Sequence, residues 1–374
     1  MGVDVAIGTA KGALFLRSDE RREHFETGDL VCRGWLVTAA TRDSRGRTYL
    51  GVTHDVYGCV VMASDDLESW EQLEGAPSYS ADDRGNEEHH RVIGAMDPMG
   101  RYKAGHRYVD QIWKLHATGD VLYAGVSEAG LFRSDDRGKS WQPVRGFNDH
   151  PTRPEWGPGF GGLCAHTVLC DGRDPNRLWV GVSAAGVFRS DDGGKSWAEK
   201  NDGVNKAEGF CVHNLAHDPQ AADIIYRQDH RGVYRTDDGG DSWQLIENGL
   251  PMATLGDGLE CSFGFPIEMD PKSGSVFVVP LEGDSFRYPH GGKLCVYRTQ
   301  DGGAGWQPLS NGLPSDPLYA NVLRGALAVD DHDPVGVYLG TTAGTVHLSV
   351  DRGESWRQLP VTLPKVLTVE AFGR

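Results

Sequence analysis

The stretch from Ser190 to Trp197, SDDGGKSW, recurs along the chain and limits what the chain can fold into. Well-formed copies begin at Ser134 (SDDRGKSW), Thr236 (TDDGGDSW), Thr299 (TQDGGAGW) and Ser349 (SVDRGESW). Worn copies at Ser64 (SDDLESW) and Ser18 (SDERREHF) bring the number to seven, at spacings of 46, 70, 56, 46, 63 and 50 residues. A repeat with this period that fills a chain is the mark of an array of like units stacked on one another.

Each copy reads as a turn between two strands. The Ser or Thr hydroxyl and the second Asp carboxylate suit bonds to nearby backbone N–H groups, Gly accepts left-handed angles, and Trp re-enters the next strand as an apolar anchor. Aspartates such as Asp136, Asp192 and Asp238 look like paired catalytic acids. Their recurrence around the whole chain assigns them to turn chemistry instead.

The segments before the boxes share one grammar. In the fifth unit FCVHNLAHDP alternates and ends in a turn, DIIYRQD is a second strand, RGVYRTD a third, and the segment carrying Trp243 a fourth. Seven units of four short antiparallel strands describe an all-β, seven-bladed β-propeller, read as a single domain over residues 1–374. Blades two to seven fall at about 35–75, 105–146, 162–203, 209–249, 264–312 and 322–360. The first blade, 3–30, offers only three strands, and the apolar run KVLTVEAF at 365–372 supplies its inner one. Closure of this kind covers the sheet edges that invite aggregation.

With strands lettered A to D from the axis outward, the boxes are C–D turns at one end of each blade. The long connections, 74–106, 145–161, 248–262 and 282–292, fall at the opposite end, where long loops of compact arrays carry function. Nine of the fourteen His fall there too. HTVLCD at His166 and HNLAHD at His213 put two imidazoles at the same position of adjacent blades, and His230, in QDHRG, lies on the B–C turn of the blade that carries His213. Three convergent His suit a divalent transition metal with an open position for water or substrate. The same residues without a metal suit general acid and base work or an anion, and the structural alternative is that they satisfy hydrogen bonds in the channel.

Four further residues complete the candidate site. Glu155, an additional acid or base, and Trp156, a platform for stacking on a sugar, lie in the Pro/Gly-stiffened HPTRPEWGPGFGG. Asp229 stands beside His230 as a ligand-binding candidate. Arg324 opens the inner strand of the seventh blade, where a guanidinium points into the channel as a clamp for carboxylate or phosphate, or joins an internal ion pair.

Charge and cysteine usage set the partners. A net charge of −16 and a pI near 5.3 speak against a nucleic-acid or anionic-membrane surface. The opening MGVDVAIGTAKGALF lacks a basic region followed by a long apolar run, and nothing later reaches the ~18 apolar residues of a membrane helix. Seven Cys, odd in number and without C-x-x-C, read as reduced thiols of a cytoplasmic protein. The expected cofactor is a divalent transition metal, with no nucleotide.

The boxes also carry a family resemblance. S-x-D-x-G-x-S-W is similar to the Asp box, or bacterial neuraminidase repeat, of sialidases, other propeller glycoside hydrolases and sortilin-like receptors. Together with HTV, CVHN, QDH, FGFP at Phe263 to Pro266 and the closing LPKVLTVEA, the chain resembles bacterial BNR-repeat proteins labelled glycosyl hydrolase or exo-α-sialidase. The resemblance implies the architecture more than the activity, because the boxes of those enzymes lie opposite the active site. Sialidases imply six blades and an Arg-Ile-Pro motif near the start, which this sequence does not match, so no sialidase residue is carried over. Seven blades resemble instead the xyloglucan-type hydrolases and the photosystem assembly factors.

These readings combine into a propeller that binds a small polar or carbohydrate-like ligand and acts as a metal-assisted, hydrolase-like enzyme. The alternatives are a non-catalytic interaction or assembly-factor propeller with a protein partner, and a glycoside hydrolase that uses carboxylates of the same face.

Overall fold

The computed structural model describes residues 2–54, 57–87, 105–159, 161–206 and 210–374. Seven four-stranded antiparallel sheets follow one another along the chain, which makes the fold an all-β, seven-bladed β-propeller. In the fifth blade the strands are Val212–His217, Ile225–Asp229, Gly232–Thr236 and Gln244–Leu245, in that order across the sheet. A small two-stranded sheet, Ala253–Thr254 with Glu260–Cys261, is inserted before the sixth. In the first blade the last strand of the chain, Val366–Gly373, pairs antiparallel with Val3–Thr9 on the side away from Phe25–Thr27, as its apolar pattern predicts. No helix among the described residues is long and apolar enough to cross a membrane.

The chain packs as two compact units. One comprises residues 1–34, 202–205 and 213–374, hence blades one, five, six and seven; the other comprises 35–201 and 206–212, hence blades two, three and four. The core of the first is built from strand residues such as Val5, Ile7, Phe277, Val337 and Leu348, closed by the box residue Trp356. In the second, Leu131, Val180, Phe188 and Trp197 play the same parts. Alternation delivers these side chains to the buried faces of the sheets, where apolar area leaves water.

The boxes are fasteners. Ser190 Oγ donates to Asp192 Oδ1 (2.8 Å) and accepts from Gly194 N (2.8 Å), while Asp192 collects Lys195 N, Ser196 N and the Ser196 hydroxyl at 3.0, 2.9 and 2.6 Å. Gly193 and Gly194 sit at φ 75° and 91°, and Trp197 Nε1 closes the turn on Gly194 O (3.1 Å). The hydroxyl bond from Ser196, seconded by its N–H, pulls the Asp192 carboxyl down to about 2. The same bonds recur around Asp136, Asp238 and Asp351.

Where Arg replaces a Gly of a box, the first at Arg137 and Arg352 and the second at Arg22, the turn acquires a second use. Arg22, Arg137 and Arg352 all have φ near 60°. Each reaches the Asp that ends the inner strand of the preceding blade in its own unit: Asp330 for Arg22, Asp43 for Arg137 and Asp270 for Arg352. Those three carboxylates are almost fully buried, so each box Arg supplies the counter-charge that burial demands.

Candidate functional site

The site is built where the inner strand of the fifth blade begins. Cys211 immediately precedes the strand Val212–His217, and two-residue periodicity puts Cys211 and His213 on the same face. His213 is 2% exposed, and its Nδ1 lies 2.5 Å from the carbonyl oxygen of Gly264, which opens the inner strand Gly264–Met269 of the sixth blade. A carbonyl only accepts, so Nδ1 carries a proton, and in the neutral ring that places the lone pair on Nε2. Gly264 is suited to the approach, because a Cβ there would stand 2.9 Å from Val279 O and 3.2 Å from Gln228 Oε1.

His230 comes from the turn between Ile225–Asp229 and Gly232–Thr236. The two imidazole centroids are 5.6 Å apart, and Phe263 lies edge-on to both, at 5.2 Å from His213 and 5.1 Å from His230. Burial among these rings lowers the His230 pKa below its usual value and favours the neutral ring. The Asp284 carboxylate, on the B–C loop of the sixth blade, stands 3.7 Å from His230 Nε2.

Cys211, His213 and His230 form the one set of three metal-capable side chains found among the described residues, with ligand atoms all within 4.8 Å of one another. A thiolate and two imidazoles are the donor types of zinc sites, and a carbonyl that holds the far nitrogen of a ligand His is the usual support for one. In the neutral ring, Nε2 is the nitrogen of His213 that would meet a metal while Nδ1 stays on the Gly264 carbonyl. Sequence reading treated Cys211 as a strand thiol. The signal that points to it is the spacing Cys-x-His at a strand entrance.

The other expected residues fall elsewhere. His166 is 5% exposed in the strand Ala165–Cys170 of the fourth blade, with Nδ1 3.3 Å from Thr167 Oγ1, and is not in the set. Asp229, expected to bind ligand, is fully buried and clamped by its own strand: Arg227 donates to Asp229 Oδ2 through Nε (2.9 Å) and Nη2 (2.5 Å). Its charge holds a structural Arg and the Arg231 backbone N–H. Trp156, expected as an open stacking platform, is 4% exposed and packs on Phe147 and Phe188 at 5.4 and 4.9 Å. Its Nε1 donates to Thr152 Oγ1 (3.0 Å), so the ring is core, because the short helical turn Arg153–Glu155 folds it inward. Glu155, in that turn, is exposed. Residues 88–104 of the long loop before the third blade, with His89 and His90, lie outside the described residues.

Arg324 is half-buried, and its guanidinium lies 4.8 Å from the centroid of Phe265, whose ring is 4.7 Å from that of His213. Asn214, next to His213, donates through Nδ2 to Arg324 O at 3.2 Å and so ties the two strand entrances together. Arg287, on the loop that carries Asp284, stands over the same Phe265 ring at 5.7 Å.

The BNR-Asp box repeat matches residues 131–144, the third-blade box and its flanks. No curated protein sequence matches the chain. Among solved structures, the GH74 xyloglucanase from Xanthomonas campestris is similar over 98% of this chain and 52% of its own, at 19% identity and a TM-score of 0.62; the chain spans about half of that enzyme. YCF48 bound to D1 peptide is similar over 86% of this chain and 81% of its own, at 16% identity and a TM-score of 0.52. PorZ, a surface component of the type-IX secretion system of Porphyromonas gingivalis, covers 90% of this chain and 34% of its own, at 12% identity and a TM-score of 0.50. At these identities the likeness is one of fold, shared by a glycoside hydrolase and by a protein seen with a bound peptide.

Proposed function

We propose that this propeller is a metal-assisted, hydrolase-like enzyme for a small polar ligand, with Cys211, His213 and His230 holding a divalent metal of the zinc type. The observation that carries the reading is the convergence of one thiol and two imidazoles, with His213 held by Gly264 in the tautomer a metal needs. A divalent metal held by these three side chains would supply Lewis-acid activation of water or of a polar substrate group. His213 would present Nε2, Phe263 and Phe265 pack against its ring, and Asp284 stands beside His230 as a candidate proton acceptor. Elemental analysis of untagged protein tests the reading: about one equivalent of metal is expected, lost in Cys211→Ser and His213→Ala. No stoichiometric uptake after incubation with zinc overturns it.

A second reading, a protein-binding propeller, is favoured by one observation. Phe286 (61% exposed) and Tyr319 (75% exposed) flank Tyr288, with Phe286 and Tyr319 rings at 6.3 and 5.2 Å from the Tyr288 ring. Exposed aromatic rings of this kind anchor partner surfaces. Under this reading a partner co-purifying from the native cell is lost with Phe286→Ala and Tyr319→Ala together and kept with His213→Ala.

A further inference from the structure

We infer that the cavity between the fifth blade and the hairpin inserted before the sixth is a second binding site, which takes an organic ammonium ion with its charged head on Glu247 and its apolar body on Leu245 and Leu259. The cavity contains none of Cys211, His213 and His230, and its binding needs no metal. The hairpin Ala253–Thr254 with Glu260–Cys261 contributes no strand to any of the four-stranded blades, but it supplies a wall. A cavity of about 430 Å³ lies there, in the size range of small-molecule sites. Tyr234, Leu245 and Glu247 line it from the blade, and Leu259, Glu260 and Cys261 from the hairpin. Leu245, 55% exposed on the outer strand Gln244–Leu245, offers apolar surface that the fold itself leaves in water, and an apolar ligand body would cover it.

The charges of the cavity call for a cation. Arg231 also lines it, but its guanidinium is paired with Asp257 at the tip of the hairpin, so that charge is already balanced. Glu247 has no such partner. Its Oε1 accepts the Ser262 N–H at 2.5 Å, and among the described residues no cation pairs with its carboxylate, whose pKa burial raises. Glu260, exposed at the rim, adds a second negative charge, while burial pushes the Cys261 thiol up to about 12 and keeps the sulfur neutral. A half-buried carboxylate without a counter-charge is costly, and an ammonium group supplies the missing charge through a charge-assisted hydrogen bond. The walls are set before any ligand arrives. Gly232, at φ 119°, lets the carboxylate lie against the B–C turn, where a Cβ would stand 2.8 Å from both Glu247 Oε1 and Leu245 Cδ1. Tyr234 Oη donates to Arg231 O (2.8 Å), and Leu259 N donates to Asp257 Oδ1 (3.1 Å), so little ordering is left for binding to impose.

The test titrates the full chain, followed by NMR, with three probes that share one apolar body: phenethylamine, neutral 2-phenylethanol and anionic 3-phenylpropionate. Wild type is expected to bind the amine about tenfold more tightly than either of the others. Glu247→Gln keeps an oxygen for the Ser262 N–H and loses only the charge, so it is expected to weaken the amine about tenfold and leave the alcohol within about twofold. Leu245→Ser, at an exposed position that the fold does not need, is expected to weaken amine and alcohol alike. Failure of the amine to bind, equal affinity for the three probes, or equal amine affinity in wild type and Glu247→Gln overturns the inference. Tightest binding of 3-phenylpropionate also overturns it and gives the cavity to Arg231. His213→Ala is expected to bind the amine as wild type does; a loss there moves the amine to the metal centre and overturns the second site.

Discussion

Arg22 Nη1 donates to both carboxylate oxygens of Asp330, at 3.2 and 3.0 Å, across 308 residues of sequence. The pair joins the box turn of the first blade to the inner strand of the seventh, and the Asp330 side chain has no exposure to water. Removal of one partner leaves a buried charge, which costs about 3–5 kcal/mol. Tyr338 Oη and Gly336 N still donate to Asp330, at 3.0 and 2.8 Å, so the loss in Arg22→Met is expected near the lower bound, about 3 kcal/mol. Urea unfolding measures it, and an unchanged midpoint contradicts the stitching role.

His347 lies in the strand Val346–Ser349, 1% exposed, and burial pushes its pKa down to about 4. In the unfolded chain the ring takes up a proton near 6.5. The folded-state value is the lower one, so the stability it secures is complete above 6.5 and is lost as pH falls from 6.5 toward 4. The denaturant midpoint should decline in that window in wild type and decline less in His347→Gln.

A second acid window belongs to the boxes. The Ser196 hydroxyl holds Asp192 at about 2, and the Ser69 backbone N–H holds Asp66 at about 2. Both lie below the usual carboxylate value, so their contribution is present above about 4 and disappears as pH falls through 2. Thermal melts of Asp192→Asn should show a shallower loss between pH 4 and 2 and no change in zinc content. A loss of zinc in that variant argues that the boxes serve the site.

Trp156 and its neighbour Glu155 separate core from surface. Trp156→Ala empties a place between Phe147 and Phe188 and is expected to cost about 3–5 kcal/mol. Glu155→Gln, at an exposed position, is expected to stay within about 0.5 kcal/mol of wild type. Neither should alter zinc content, and chemical denaturation with elemental analysis reads both.

On the metal-assisted reading, metal removal should give a stability signal independent of activity. At free zinc 100 times its Kd, binding to the native state adds about 2.7 kcal/mol. A chelator should lower the wild-type melting temperature accordingly and leave that of a Cys211→Ser, His213→Ala double variant where it was.

The sequence by itself determined the blades. Seven turns with fixed chemistry, alternating strands before each, and the apolar run KVLTVEAF after the last box specify local hydrogen bonds and a period of two, both written in nearest-neighbour residues. It also marked His213, His230 and Arg324, because a strand entrance and a B–C turn can be located from the repeat. Only the tertiary structure decided what surrounds them. Cys211 enters beside His213, Asp229 turns back onto Arg227, Trp156 goes into the core, and Phe265 carries Arg324 and Arg287 next to His213. These outcomes depend on contacts between residues far apart in the chain and on which side of a short turn faces water, and no local pattern encodes either.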